Sequence, residues 1–167
     1  MSAGGAHVAA GEVRAKVLRD PVLFVAFGFG SGLAPAAPGT VGSALGVLVA
    51  CAMAGAAFEW RMFAGAILLA AGFLLCGTAA RRIGVRDHSG IVLDEIAAMY
   101  LVLLFVPPSV LLWTLGFALF RLFDIWKPWP IRDLDHRLSG SAGIMLDDLA
   151  AALYAALILR FGGWLMV

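Results

Sequence analysis

Charge is scarce in this sequence. Asp, Glu, Lys and Arg make up 14% of its 167 residues, where a soluble domain carries about a quarter. The net charge of +1 excludes the strongly basic balance that gathers nucleic acid through its phosphates, so no nucleic-acid partner is expected. Only two cysteines occur, Cys51 and Cys76, each in an apolar run. They make neither a disulfide framework nor a metal site, and both read as small buried hydrophobes. The first 20 residues have no apolar stretch ahead of a small-residue cleavage site, so no signal peptide is expected. Residues 1–20 instead read as an Ala/Gly-rich tail in which Arg14, Lys16 and Arg19 predict a basic membrane-surface helix.

Apolar sequence is abundant. Hydrophobic residues make up 62% of the chain and the mean hydropathy is +0.96. That composition and length predict one integral membrane domain over 21–167. Residues 22–30 are apolar but too short to span. The segment 31–43 (SGLAPAAPGTVGS) is rich in Pro and Gly and reads as a structured loop. Residues 44–58 and 62–80 predict two helices of roughly 22 and 28 Å, near the thickness of a bilayer core. A polar loop, 81–90, follows. Residues 91–120 are broken at Pro107-Pro108 and read as a helical hairpin whose full crossing stays open. A second polar loop over 128–143 precedes a last helix at 144–160. No internal repeat is evident.

Against this background five acids stand out: Asp94 and Glu95, Asp124, and Asp147 and Asp148. A charge at the centre of a membrane helix costs about 2.5–3.5 kcal/mol. Helix-start acids favoured by the dipole explain one member of each pair but not both. A shared divalent cation explains all five, because carboxylate oxygens are the ligands that hard ions such as Mg²⁺ select. Arg121, Asp124 and Lys127, spaced by three, fall along one side of a helix. They read either as a salt-bridged stripe or as a metal ligand flanked by two phosphate-holding cations. Gly39, Thr40 and Ser43 surround a helix start expected near residues 41–43, where backbone N–H groups can bind an anion. The simpler reading makes Thr40 the N-cap. His88 reads equally as a general acid or base, an orienting group or a solvated loop residue. His7 and His136 carry no such expectation.

Two hairpins, 44–80 and 91–120, return the chain twice to the same side. They bring the loops at 31–43, 81–90 and 121–143 to one membrane surface. Of the 12 Lys and Arg residues, all but Arg61 and Arg160 fall on that side. The positive-inside rule therefore makes it cytoplasmic.

The segments LAPAAPGTVGS (33–43), DHSGIVLDE (87–95), FRLFDIWKPWPI (120–131) and GIMLDDLAAALYAAL (143–157) resemble, in order, the phosphatidylglycerophosphatase A family. The resemblance covers about residues 24 to 160. It implies an all-α bundle embedded in the bacterial inner membrane. It also implies Mg²⁺-dependent hydrolysis of phosphatidylglycerophosphate to phosphatidylglycerol and phosphate. The acids Asp94, Glu95, Asp124, Asp147 and Asp148, with Thr40 and Lys127, match the family's polar core. Water and an aspartate stay open as the attacking group, as do the number of metals and the oligomeric state. The DxxDGxxAR pattern of CDP-alcohol phosphotransferases and the Ser-Gly-His of histidine-nucleophile lipid phosphatases are both absent. Intramembrane acids could also serve a cation or proton transporter. Their place at helix ends beside Arg and Lys argues against that alternative.

Overall fold

The computed structural model describes residues 10–85, 88–129, 131–132 and 141–164. These form α1 (Ala10–Arg19), α2 (Pro21–Ala26), a short 3-10 segment (Gly28–Leu33), α3 (Pro38–Met53), α4 (Phe58–Ile83), α5 (Leu93–Leu104), α6 (Val110–Trp126) and α7 (Ser141–Trp164). The described residues are all helix and connection, with no strand.

The helix bounds follow local chemistry. Asp20 caps α2 by accepting from the Val22 N–H at 2.9 Å, and Pro21 occupies the first helical position, where its missing N–H costs nothing. Arg82 donates to Asp20 at 2.6 Å, holding that carboxyl below its usual range and fastening α2 to the end of α4. α4 stops at Gly84, whose φ of 82° closes the helix in the left-handed region. The expected helix start near 41–43 is displaced: α3 begins at Pro38, after Ala37 turns into the left-handed region with φ 46°. Proline's fixed φ starts the helix early. Thr40 is therefore not an N-cap but the third residue of α3.

α5 is the axis of the bundle. It packs on α3, α4, α6 and α7, and every residue from Leu93 to Leu104 is buried except Glu95 and Leu101. α3 packs tightly on it, because Gly46 leaves room for the Ile96 carbonyl and Met99. At the far end Arg61 donates to the Leu104 carbonyl at 2.9 Å, and the Tyr100 hydroxyl donates to the Arg61 carbonyl at 2.8 Å. These contacts tie the start of α4 to the end of α5. At the near end Val17, Phe27, Cys76 and Leu93 share one core cluster. Val17 brings α1, from the basic N-terminal stretch, onto that core.

The outer surface is apolar. Leu74 is 70% exposed on α4, Val110 89% on α6 and Phe161 66% on α7. Such a face suits lipid rather than water. Phe58–Ile83 and Ala142–Phe161 are long and apolar enough to cross a bilayer. Of the two cysteines, Cys76 is buried as expected but Cys51 is exposed, since it lies on the face of α3 turned away from α5.

Candidate active site

The acids gather because their helices begin or end at the same end of the bundle. Asp94 and Glu95 occupy the first turn of α5, Asp124 the last turn of α6, and Asp147 and Asp148 the second turn of α7. The first-turn position is favourable for negative charge. Asp94, Asp147 and Asp148 are buried, and Glu95 and Asp124 are nearly so, with side chains 15% and 13% exposed.

The five acids separate into one cluster and two ion pairs. One carboxylate oxygen each from Asp94, Glu95 and Asp148 lies within 4.8 Å of the others. Asp124 accepts a hydrogen bond from Arg121 Nη1, and Asp147 Oδ2 accepts from Lys127 Nζ at 2.7 Å. Asp94 Oδ1 accepts from the Glu95 N–H at 3.0 Å. Glu95 Oε1 stands 4.0 Å from Arg121 Nη1, whereas Glu95 Oε2 is buried without a hydrogen-bond partner among the described residues. Arg121 Nε is a buried donor in the same position.

Arg121 is held from two sides. Besides Asp124 it donates to Ser43 Oγ at 3.4 Å. Ser43 is fully buried and gives its own proton to the Gly39 carbonyl at 2.8 Å. Gly39 leaves room for the site: a Cβ there would overlap Glu95 Oε1 and come within 3.2 Å of Arg121, so both side-chain ends would have to move. The structure thus brings Gly39 and Ser43 to the acids.

Lys127 departs from the expected helical stripe. It is the residue after α6 and has φ 46°, a left-handed C-cap, so the chain turns there and aims the lysine at α7 instead of along Arg121 and Asp124. Thr40 sits between Gly39 and Ser43 in sequence, half-buried in the first turn of α3. His88 Nδ1 accepts from the Gly90 N–H at 3.0 Å and its ring lies 5.4 Å from that of Phe27. Among the described residues it makes no hydrogen bond or ion pair with the carboxylates. Asp87, His7 and His136 lie outside the described residues. Sequence reasoning found the acids and, through the spacing of three, the Arg121–Asp124 ion pair; for the cluster and for the Lys127–Asp147 pair spacing holds no signal.

The cluster suits a hard divalent cation. One oxygen from each of the three carboxylates lies within 4.8 Å of the other two, close enough for a single ion to be shared, and hard divalent ions select oxygen ligands. Among the described residues five acids meet two cations here, Arg121 and Lys127, an excess of three negative charges if all are ionised. The orphan Glu95 Oε2 is a buried acceptor with no hydrogen-bond partner among the described residues, which a cation would satisfy.

A family model described as "Phosphatidylglycerophosphatase A" matches residues 24–162. The chain is 39% identical over 149 residues to the phosphatidylglycerophosphatase A of Escherichia coli, covering 87% of this chain and 86% of the relative. It is 41% identical over 143 residues to that of Haemophilus influenzae, covering 84% and 88%. A Bacteroides thetaiotaomicron protein, 32% identical over 153 residues and covering 87% and 95%, is named provisionally as a phosphatidylinositol-3-phosphatase. No solved structure matches the chain.

Proposed function

The chain belongs to the phosphatidylglycerophosphatase A family and is a lipid phosphatase; on that premise we propose that it hydrolyses phosphatidylglycerophosphate to phosphatidylglycerol and inorganic phosphate, with Mg²⁺ held by Asp94, Glu95 and Asp148. The observation that carries the metal assignment is the buried three-carboxylate cluster with its orphan Glu95 Oε2. When bound, the cation would supply positive charge to the phosphoryl oxygens and ease in-line displacement.

The protein's own groups do the rest. Arg121, clamped by Asp124 and Ser43, turns its guanidinium toward the cluster and neutralises a phosphoryl oxygen. Lys127, seated on Asp147, supplies the second cation. The Gly39 N–H at the start of α3 binds a further oxygen, whereas the Thr40 N–H is given to the Ala37 carbonyl at 2.9 Å. Ser43 positions Arg121 instead of touching substrate, since its proton is committed to Gly39. His88 shapes the turn before α5 through Gly90. In the reaction the bond from phosphorus to the glycerol oxygen breaks, a new oxygen bonds to phosphorus on the opposite side, and the leaving oxygen takes up a proton. The comparisons lend no support to a transporter.

The protein is a membrane protein with two helices able to span the bilayer. We place it in the bacterial inner membrane with the site facing the cytoplasm, as the basic residues sort. The test is phosphate release by purified protein in detergent from phosphatidylglycerophosphate, phosphatidic acid and phosphatidylinositol 3-phosphate. Phosphatidylglycerophosphate should be hydrolysed fastest. A stronger preference for either other lipid would overturn the substrate.

A further inference from the structure

An apolar groove of about 510 Å³ lies between α3 and α6. Ala44, Val47 and Leu48 line it from α3; Val110, Trp113, Thr114 and Phe117 line it from α6. Both stripes follow helical spacing, so each forms one continuous face. Each also runs into the active site. Ser43 precedes Ala44 and lies one turn before Val47, while Arg121 lies one turn beyond Phe117. Ser43 and Arg121 meet at 3.4 Å. The groove therefore starts beside Arg121, the proposed phosphate-holding residue, and the track from there to Val110, the first residue of α6, is about 16 Å long. Its size falls within the roughly 300–1,000 Å³ of ligand pockets.

We infer that this groove holds the headgroup-proximal part of one acyl chain of the lipid substrate. The inference rests on the proposed phosphatase reading. A phospholipid with its terminal phosphate at Arg121 has its ester-linked chains a short reach away, and α3 and α6 offer an apolar track that begins there. Seating a chain in this track fixes where the phosphate stands. Chain binding thereby serves orientation as well as affinity, in the way binding energy from remote parts of a substrate is used. The acyl chain, not the headgroup, then separates a membrane lipid from a soluble phosphomonoester of the same headgroup.

The experiment compares dioleoyl phosphatidylglycerophosphate with its deacylated, water-soluble counterpart in detergent, using wild type, Leu48→Trp and Thr114→Phe. Both substitutions add bulk inside the groove and leave the proposed phosphate-handling residues intact. Wild type should show a KM for the deacylated compound at least about tenfold higher, since several buried methylenes are lost. The variants should raise KM for the dioleoyl substrate at least about tenfold and leave the deacylated reaction unchanged. Wild-type kinetics on the dioleoyl lipid in both variants would overturn the inference, and so would equal losses on the two substrates. A second readout needs no variant: a phosphatidylglycerophosphate carrying a diazirine on its acyl chain should label residues 44–48 and 110–117 of wild type. Excess substrate, but not phosphatidylcholine, should compete that labelling away. Labelling elsewhere, or equal competition by phosphatidylcholine, would overturn the groove even where a variant fails to fold. Wild type that hydrolyses neither substrate would instead sink the proposed reaction, and the labelling would still judge the groove.

Discussion

Lys127 Nζ donates to Asp147 Oδ2 at 2.7 Å and so joins the end of α6 to the second turn of α7. The lysine reaches its partner because its own backbone turns left-handed, at φ 46°. The pair should act as a unit. Lys127→Met and Asp147→Asn are each expected to lower phosphatase turnover at least about tenfold, and the double variant should be no worse than the poorer single one. Turnover in the double variant equal to the product of the two losses would separate the residues.

The division of acids predicts two kinds of variant. Asp94→Asn, Glu95→Gln and Asp148→Asn should each cut turnover at least about a hundredfold, the scale of losing one electrostatic element of a transition-state site. Each should also weaken Mn²⁺ binding, read by electron paramagnetic resonance. Asp124→Asn should slow turnover by loosening Arg121 yet leave Mn²⁺ affinity near that of wild type. If the three cluster variants turn over almost normally, these acids only favour helix starts, an effect of about 0.3–1 kcal/mol.

Much of this arrangement was legible in the sequence, for identifiable reasons. Acids inside apolar runs are costly enough to be conspicuous, and two hairpins force the polar loops to one end whatever their packing. The start of α3 was not legible, because Pro-Gly-rich sequence reads as loop until the left-handed turn at Ala37 is seen. The fate of Lys127 was hidden for a related reason: spacing by three assumes the helix continues, and it ends at Trp126. Nor can spacing tell that Glu95 of α5 faces Asp148 of α7, since that contact joins helices far apart in the chain; the Arg121–Asp124 pair, three apart on α6, is the part of the stripe that spacing did signal.

Gly39 gives a prediction that separates space from backbone freedom. Gly39→Ala should displace Glu95 and Arg121 and reduce turnover at least about tenfold. Gly55→Ala, where an added Cβ meets nothing within 4 Å, should leave turnover unchanged. Equal behaviour of the two variants in the phosphate-release assay would remove Gly39 from the site.

Sidedness follows from the basic residues. In a background without Cys51 and Cys76, a single cysteine at Ser89 should stay unlabelled by an impermeant thiol reagent added to intact cells. One at Glu59, at the opposite end of α4 from the site, should be labelled. The reverse pattern would place the site outside the cytoplasm.

The most direct test of the account is phosphate release from phosphatidylglycerophosphate by EDTA-treated wild type as Mg²⁺ is restored. Turnover should vanish in EDTA and return with Mg²⁺ or Mn²⁺. It should return poorly with Ca²⁺, whose looser coordination suits a compact three-carboxylate site less well. Full turnover in excess EDTA would contradict the assignment of Asp94, Glu95 and Asp148 as the metal site.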